Sequence, residues 1–223
     1  MKIFPEIKGE IEDYDVLVHG HLKWNRYFGE SAESPPRGDP STCSSVLIRG
    51  RDFDGRPYRL ILDPTIRLSA EAYYFDLNRR TGLGPEAITH CFSTHHHFDH
   101  WHGLNYFPGT PWLTGAGNAA LIAEASGMEK GRFTEVCGEF LPGIYALPLP
   151  GHTERLHGLA FRFRGKRVLA AGDAVMTKHH LDDRRTEFQP DEALQRRAAE
   201  TLENIAQSFD LVIPGHDNTL FLG

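Results

Sequence analysis

The sequence predicts a layered α/β (α+β) sandwich of mixed strands and helices. Two observations carry that expectation. Short apolar runs bounded by Gly, Pro and Asp recur along most of the chain, and helical segments fall between them rather than in one block. A third concerns chemistry: His and Asp residues stand where several of those runs end, which is where a sheet presents side chains to a cleft. With 223 residues, 40% hydrophobic and 24% charged, the chain has the composition of an ordinary globular protein. It is read as one domain over residues 1–223.

Taken in order, DVLVHGHL is an extended N-terminal segment, and SSVLIRG and YRLILDPT are two strands joined by the turn RDFDGRP. Between DVLVHGHL and SSVLIRG, residues 30–41 (ESAESPPRGDPS) read as a long loop, a candidate binding loop or lid. Ser69 caps a helix through AEAYYFDLNRR that stops at Gly82. AITHCFST is a strand that delivers the chain to a histidine cluster, after which a short helix starts. PWLTG is a strand and NAALIAEAS a helix. IYALPLP, LAFRFRG and KRVLAAG are strands, the last two forming a hairpin around Gly165. Residues 176–189, which include the polar run MTKHHLDDRR, read as a loop. PDEALQRRAAETLENIAQSF is a helix with Pro190 near its first turn, placing Leu194, Ala198, Leu202 and Ile205 on one face. LVIPG is the last strand.

Charge and cysteine usage exclude several classes. A net charge of -6 gives no support for a general affinity for nucleic acid or anionic membranes. The cluster Arg162, Arg164, Lys166 and Arg167 reads as the solvated face of a hairpin. Three widely spaced cysteines, Cys43, Cys91 and Cys137, form no CxxC pair and no disulfide framework. They are expected to be buried or inert. The acidic N-terminus lacks a signal-peptide apolar run, and no segment approaches about eighteen apolar residues. A cytoplasmic location and a small-molecule partner are expected, with no membrane and with nucleic acid a secondary alternative.

STHHHFDHWHG, from Ser93 to Gly103, holds five of the thirteen histidines. At the end of an extended strand His95 and His97 point to one side and His96 to the other. If a helix follows, Asp99 and His100 swing round beside the pair. Imidazole and carboxylate suit zinc and non-haem iron. Four ligands within six residues cannot surround one small ion without strain, but they can share two. Three more candidates end strands: His152 in PGHT, Asp173 in AGD and His216 in PGH. His102 falls on a different helical face, and His19 and His21 lack a third ligand nearby. His179 and His180 are candidates for substrate contact.

HHHFDH followed by WHGL, with the later His, Asp and His in order, resembles the metallo-β-lactamase superfamily from about Ser44 to His216. The resemblance implies a four-layer αββα sandwich of two mixed β-sheets with a two-metal site at one edge. By that likeness His95, His97 and His152 hold one ion and Asp99, His100 and His216 a second, with Asp173 bridging. Asp63 matches the strand-end aspartate, although the family's DTG is DPT here. Two divalent ions are implied, Zn2+ first, with Fe or Mn as alternatives. Ions about 3.5 to 4 Å apart share a water and lower its pKa, giving a hydroxide that attacks a carbonyl or phosphoryl centre. Asp99 is then the catalytic candidate that orients the water or moves its proton.

The likeness also weighs subclasses. His97 replaces the glutamate of oxygen-reducing relatives, and Met176 replaces a tyrosine that lactonases carry three positions past the bridging aspartate. The nearest overall look is to small single-domain members, RNA endonucleases included. The expected function is hydrolysis of an ester, thioester, lactone or phosphodiester. The alternatives are a mononuclear iron persulfide dioxygenase using His95, His152 and Asp173, and a non-catalytic binding protein.

Overall fold

Strand residues alternate between two apolar environments, and that alternation builds the layers. In the computed structural model of the chain, residues 3–24, 41–184, 186 and 189–222 are described. Val46 and Ile48 of β2 (Ser45–Arg51) and Leu60 and Leu62 of β3 (Pro57–Leu62) face a central core, while Leu47 and Ile61 face outward into a second one. Both faces are therefore apolar, as a sheet covered on both sides requires.

The first sheet runs β1 (Asp13–Val18), β2, β3, β4 (His90–Ser93), β5 (Trp112–Gly115) and β6 (Phe133–Val136) in spatial order. The second runs in the reverse of chain order: β12 (Leu220–Phe221), β11 (Leu211–Pro214), β10 (Lys166–Gly172), β9 (His157–Phe163), β8 (Ile144–Pro148) and β7 (Gly138–Leu141). Both sheets are mixed: β3, β4, β5 and β6 pair in parallel, as do β10 and β11, and the other pairs are antiparallel. Inward residues of both sheets interlock in the central core, where Phe92 and Leu113 join Ile144, Leu159, Phe161, Val168 and Ile213.

Helices cover the outer faces. Tyr73 and Leu77 of α1 (Ala70–Thr81) and Ile122 of α3 (Asn118–Ser126) pack on Leu47, Ile61 and Cys91. Leu181 of α4 (Lys178–Asp183) and Leu202 and Ile205 of α5 (Glu192–Ser208) pack on Ala160, Leu169 and Val212. The result is the expected four-layer αββα sandwich. α1 has the caps read from the sequence: Ser69 accepts from Ala72 N, and Gly82 takes a left-handed φ of 72° that a side chain would strain.

Several expectations are corrected in detail. MTKHHLDDRR is not simply a loop, because Thr177 accepts from His180 N and starts α4. Pro190 lies just before α5, and Asp191 caps the helix by accepting from Leu194 N. Leu194 itself is only half-buried, and Thr201 and Ser208 complete the buried face instead. Strands β6, β7 and β12 are additional. Of the cysteines, Cys43 and Cys91 are buried but Cys137 is exposed. In the 30–41 segment, residues 30–40 lie outside the described residues. The Arg162–Arg167 cluster is engaged locally: Arg167 pairs with Asp210 at 2.7 Å, and Arg162 and Arg164 stack over Phe4 and Phe163.

What positions the site is the parallel pairing. Parallel neighbours end on the same side, so β3 and β4 release Asp63 and Thr94 together, and β10 and β11 release Asp173 and His216 together.

Candidate metal centre

The segment after β4 is held by a buried network before any ligand is considered. Asp63 Oδ1 accepts from Thr94 N at 2.8 Å, and Asp63 Oδ2 accepts from the Thr94 hydroxyl at 2.8 Å. Asp63 has φ 44°, an uncommon conformation that Asp tolerates better than most residues. The DPT sequence thus delivers its aspartate to the site. Ser93 Oγ contacts the His95 carbonyl at 3.1 Å, and the Cys43 thiol donates to the Asp99 carbonyl at 3.0 Å. Burial pushes the Cys43 thiol pKa up to about 12, so it stays a neutral donor.

These contacts decide which ring nitrogen of each histidine carries the proton. His100 Nδ1 donates to Asp63 Oδ2 at 2.8 Å, and His216 Nδ1 donates to the Thr42 carbonyl at 2.9 Å. The Thr94 hydroxyl spends its one proton on Asp63, so it accepts from His95 Nδ1 at 3.0 Å. In the neutral form of all three rings the lone pair is therefore on Nε2.

Two groups of donor atoms result. One atom from each of His95, His97, His152 and Asp173 lies within 4.8 Å of the others, and the same holds for Asp99, His100 and His216. His152 Nε2 lies 2.8 Å from His97 Nδ1. Asp173 stands between the groups. Its Oδ1 is 3.2 Å from His100 Nε2 and 3.1 Å from His216 Nε2, and its Oδ2 is 3.3 Å from His152 Nε2. Asp99 Oδ2 is 3.7 Å from His216 Nε2 and 3.9 Å from His100 Nε2. A third grouping, Cys43 with Asp63 and His100, shares the His100 ring and is already hydrogen-bonded internally.

The buried polar atoms test whether a cation fits. His95 Nε2, His100 Nε2 and Asp173 Oδ1 are buried without a hydrogen-bond partner, a costly arrangement unless something else binds them. The electrostatics divide the same way. Burial holds His95 and His97 below the ordinary histidine pKa and His152 at about 3, so these rings are neutral, as ligands must be. Burial also opposes charge on His216, but Asp173 and Asp99 outweigh it and raise the pKa. His100 is raised too, because the carboxylates of Asp173, Asp63 and Asp99 overcome its desolvation. Asp173 shows the converse: burial alone would raise its pKa, but His216, His100 and His152 bring it well below the carboxylate range. The second group is thus a place where positive charge is favoured, and the donor set fits divalent cations.

The remaining candidates separate clearly. His96 joins neither donor group, and its carbonyl accepts from Trp101 Nε1 at 3.0 Å. His102 packs on Phe98, with ring centroids 4.7 Å apart. His19 is exposed, and His21 Nδ1 is 3.0 Å from Thr42 Oγ1, so neither joins a donor group. His179 is exposed, whereas His180 is 2% exposed, lines the cleft and accepts from Met176 N through Nδ1 at 3.2 Å. Burial lowers the His180 pKa to about 4, so it is neutral.

The cleft beside the two groups has a volume of about 520 Å³ and is lined also by Leu22, Trp24, Ser41, Met176, Thr177, Gln189 and Pro190. Leu22, Trp24 and Gln189 carry no sequence signal that points to a site. Thr94 and Cys43, which hold the ligand segment, are equally silent in the sequence.

An αββα sandwich with His and Asp clusters at one edge defines a class of metal-binding proteins, and comparison with known families names it. The chain belongs to the metallo-β-lactamase superfamily, whose family model matches residues 38–223. Solved structures share the fold. A probable metal-dependent hydrolase from Staphylococcus aureus aligns with TM-score 0.68 at 17% identity, covering 97% of this chain and 92% of its own. A proposed metallo-β-lactamase from Thermotoga maritima aligns with TM-score 0.66 at 16% identity, covering 94% and 98%. An N-acyl homoserine lactone hydrolase, with its product N-hexanoyl-L-homoserine at the catalytic metal centre, aligns with TM-score 0.64 at 18% identity, covering 95% and 94%. No curated protein matches the sequence.

Proposed function

We propose that the chain is a metal-dependent hydrolase that uses two divalent ions, Zn2+ first, on an ester, thioester, lactone or phosphodiester. The observation that carries this is the meeting of two donor groups at one carboxylate, Asp173, with buried donor atoms that no protein group satisfies. His95, His97 and His152 would hold one ion, Asp99, His100 and His216 the other, and Asp173 would touch both. Ions bound there would supply a water of lowered pKa and would polarise the reacting carbonyl or phosphoryl oxygen.

The chain's own residues do the rest. Asp63, Thr94 and Thr42 fix the tautomers of His100, His95 and His216, so in each neutral ring Nε2 is the lone-pair donor that a cation would meet. Asp99, which lines the cleft, can accept the proton of an attacking water and return it to the leaving oxygen. Among the described residues no Lys or Arg lines the cleft, which favours a carbonyl substrate over a phosphodiester. The lactone hydrolase of the same fold supports that choice. Membrane association gains no support, since no helix of the described residues is long and apolar enough to cross a bilayer.

The test is metal analysis of purified protein together with a panel of chromogenic esters, thioesters, lactones and phosphodiesters. The reading predicts turnover that chelation removes, that Zn2+ restores and that His97→Ala abolishes. One iron per chain with oxygen uptake on a persulfide would replace it with the dioxygenase reading. Metal-loaded protein inert on every substrate would leave a binding protein.

A further inference from the structure

Besides the metal-directed atoms, the cleft-lining side chains of Gln189 and Trp24 offer neutral N–H donors that lack acceptors among the described residues. Gln189 is 5% exposed, lines the cleft, and its Nε2 is buried without a hydrogen-bond partner. Trp24 lines the same cleft, and its Nε1 is also buried and unpartnered. Neither group belongs to the donor clusters at the metal centre.

The Gln189 backbone is tied into its surroundings. Gln189 N donates to the Thr186 carbonyl at 2.9 Å, and the Gln189 carbonyl accepts from Gln195 Nε2 at 3.2 Å, which ties the turn to α5. Only backbone atoms of Gln189 are used there, so its side-chain Nε2 is left over. One face of the Trp24 ring carries the Lys23 ammonium, 4.8 Å from the centroid, while the indole N–H is buried. A buried donor that is rigidly held and unsatisfied incurs its desolvation cost in the free protein and recovers it when an acceptor arrives. A neutral amide N–H and an indole N–H suit a neutral acceptor; a carboxylate or phosphate would be matched by Arg or Lys. Leu22, Met176 and Pro190 supply apolar surface beside them.

We propose that Gln189 and Trp24 form an acceptor subsite: their side-chain N–H groups hold a substrate carbonyl oxygen other than the one that reacts. The substrate class that fits is a neutral ester or lactone bearing an amide on an apolar arm. For its catalytic consequence this rests on the hydrolase reading; for binding it stands alone.

The experiment has two arms on the zinc-loaded full chain. In the first, N-hexylacetamide, an unreactive secondary amide, is titrated while the side-chain N–H resonances of Gln189 and Trp24 are followed by NMR. Both resonances shift saturably, and Gln189→Met weakens binding by about fivefold or more. In the second, kcat/KM is compared for two aryl esters of equal length, one with an amide in its acyl arm and one without. The wild type prefers the amide-bearing ester by about tenfold or more, and Gln189→Met brings the ratio within about threefold. Gln189→Glu, of the same size but without the N–H, reproduces the loss if Met disturbs the fold. Resonances that do not move, or an affinity and a ratio unchanged by both variants, overturn the subsite. Both esters slowed alike, with the ratio kept, would make Gln189 structural and also overturn it. Amide binding as expected with no ester hydrolysed would uphold the subsite and defeat the hydrolase reading.

Discussion

Asp63→Asn separates the electronic role of a buried carboxylate from its packing. Asp63 is fully buried and accepts three hydrogen bonds, each of 2.8 Å, from Thr94 N, Thr94 Oγ1 and His100 Nδ1. Asparagine keeps the shape, tolerates the positive φ and still accepts from Thr94 N. Where Oδ2 accepted, it presents an NH2 group. His100 Nδ1 must then accept rather than donate, which moves the His100 proton to Nε2, the atom facing Asp173. A protonated Nε2 cannot ligate. Loss of such a supporting carboxylate typically weakens metal affinity by about 10- to 100-fold, or about 1.4 to 2.8 kcal/mol. The loss falls on the ion assigned to Asp99, His100 and His216. The ion assigned to His95, His97 and His152 is less affected, because the Thr94 hydroxyl can rotate to accept from the new NH2 and still accept from His95. Calorimetric titration of the metal-free variant with Zn2+ measures both steps. A weaker site within threefold of wild type, or equal weakening of both sites, would refute the reasoning. Asp63→Ala is the harsher control. It strands three buried donors at about 1–3 kcal/mol each, so it should lower folding stability as well.

Leu202→Ala, at a fully buried position of α5 against the second sheet, should cost about 2–5 kcal/mol in urea unfolding without altering metal stoichiometry. Gly215→Ala would place a Cβ 2.1 Å from Asp173 Oδ1, so Asp173 must move; about 1–3 kcal/mol of stability and the bridging contact should be lost, read by thermal melts and metal content. Arg167 beside Asp210, with side-chain contacts of 2.7 and 3.1 Å, holds the Asp210 pKa at about 2, below its ordinary 3.8. A depressed carboxylate pKa contributes stability above the unfolded value and loses it as pH falls through the folded one. Asp210→Asn should therefore cost about 1 kcal/mol or less at pH 7, and the difference from wild type should shrink between pH 4 and about 2.

Much of this architecture was legible because local chemistry and global packing agree. Ser69 and Gly82 bracket α1, and NAALIAEAS is α3 from end to end. The positions of His152, Asp173 and His216 were recognisable from short apolar runs followed by small residues. Other elements gave weak signals for physical reasons. β6 and β7 are four-residue strands, with Phe133 and Leu141 as their only buried residues, so period-two alternation has no length in which to show. α4 has one buried apolar residue, Leu181; its signals were the Thr177 cap and the Lys178–Asp182 pair, both readable in hindsight from spacing alone. The metal-directed residues carried a motif, but their supports did not. Thr94, Cys43 and Thr42 act through a hydroxyl, a thiol and a backbone carbonyl that any strand end contains. Gln189 and Trp24 reach the cleft only through tertiary folding. His179 and His180 looked equivalent as neighbours, and a single helical step puts one outside and the other in the wall of the cleft.

The central claim is that two ions share Asp173, and anomalous diffraction at the zinc edge from zinc-loaded crystals tests it most directly. The account predicts two peaks per chain, one among His95, His97 and His152 and one among Asp99, His100 and His216, each within coordination distance of Asp173. A single peak, or a pair of which one lies beyond reach of Asp173, would contradict it.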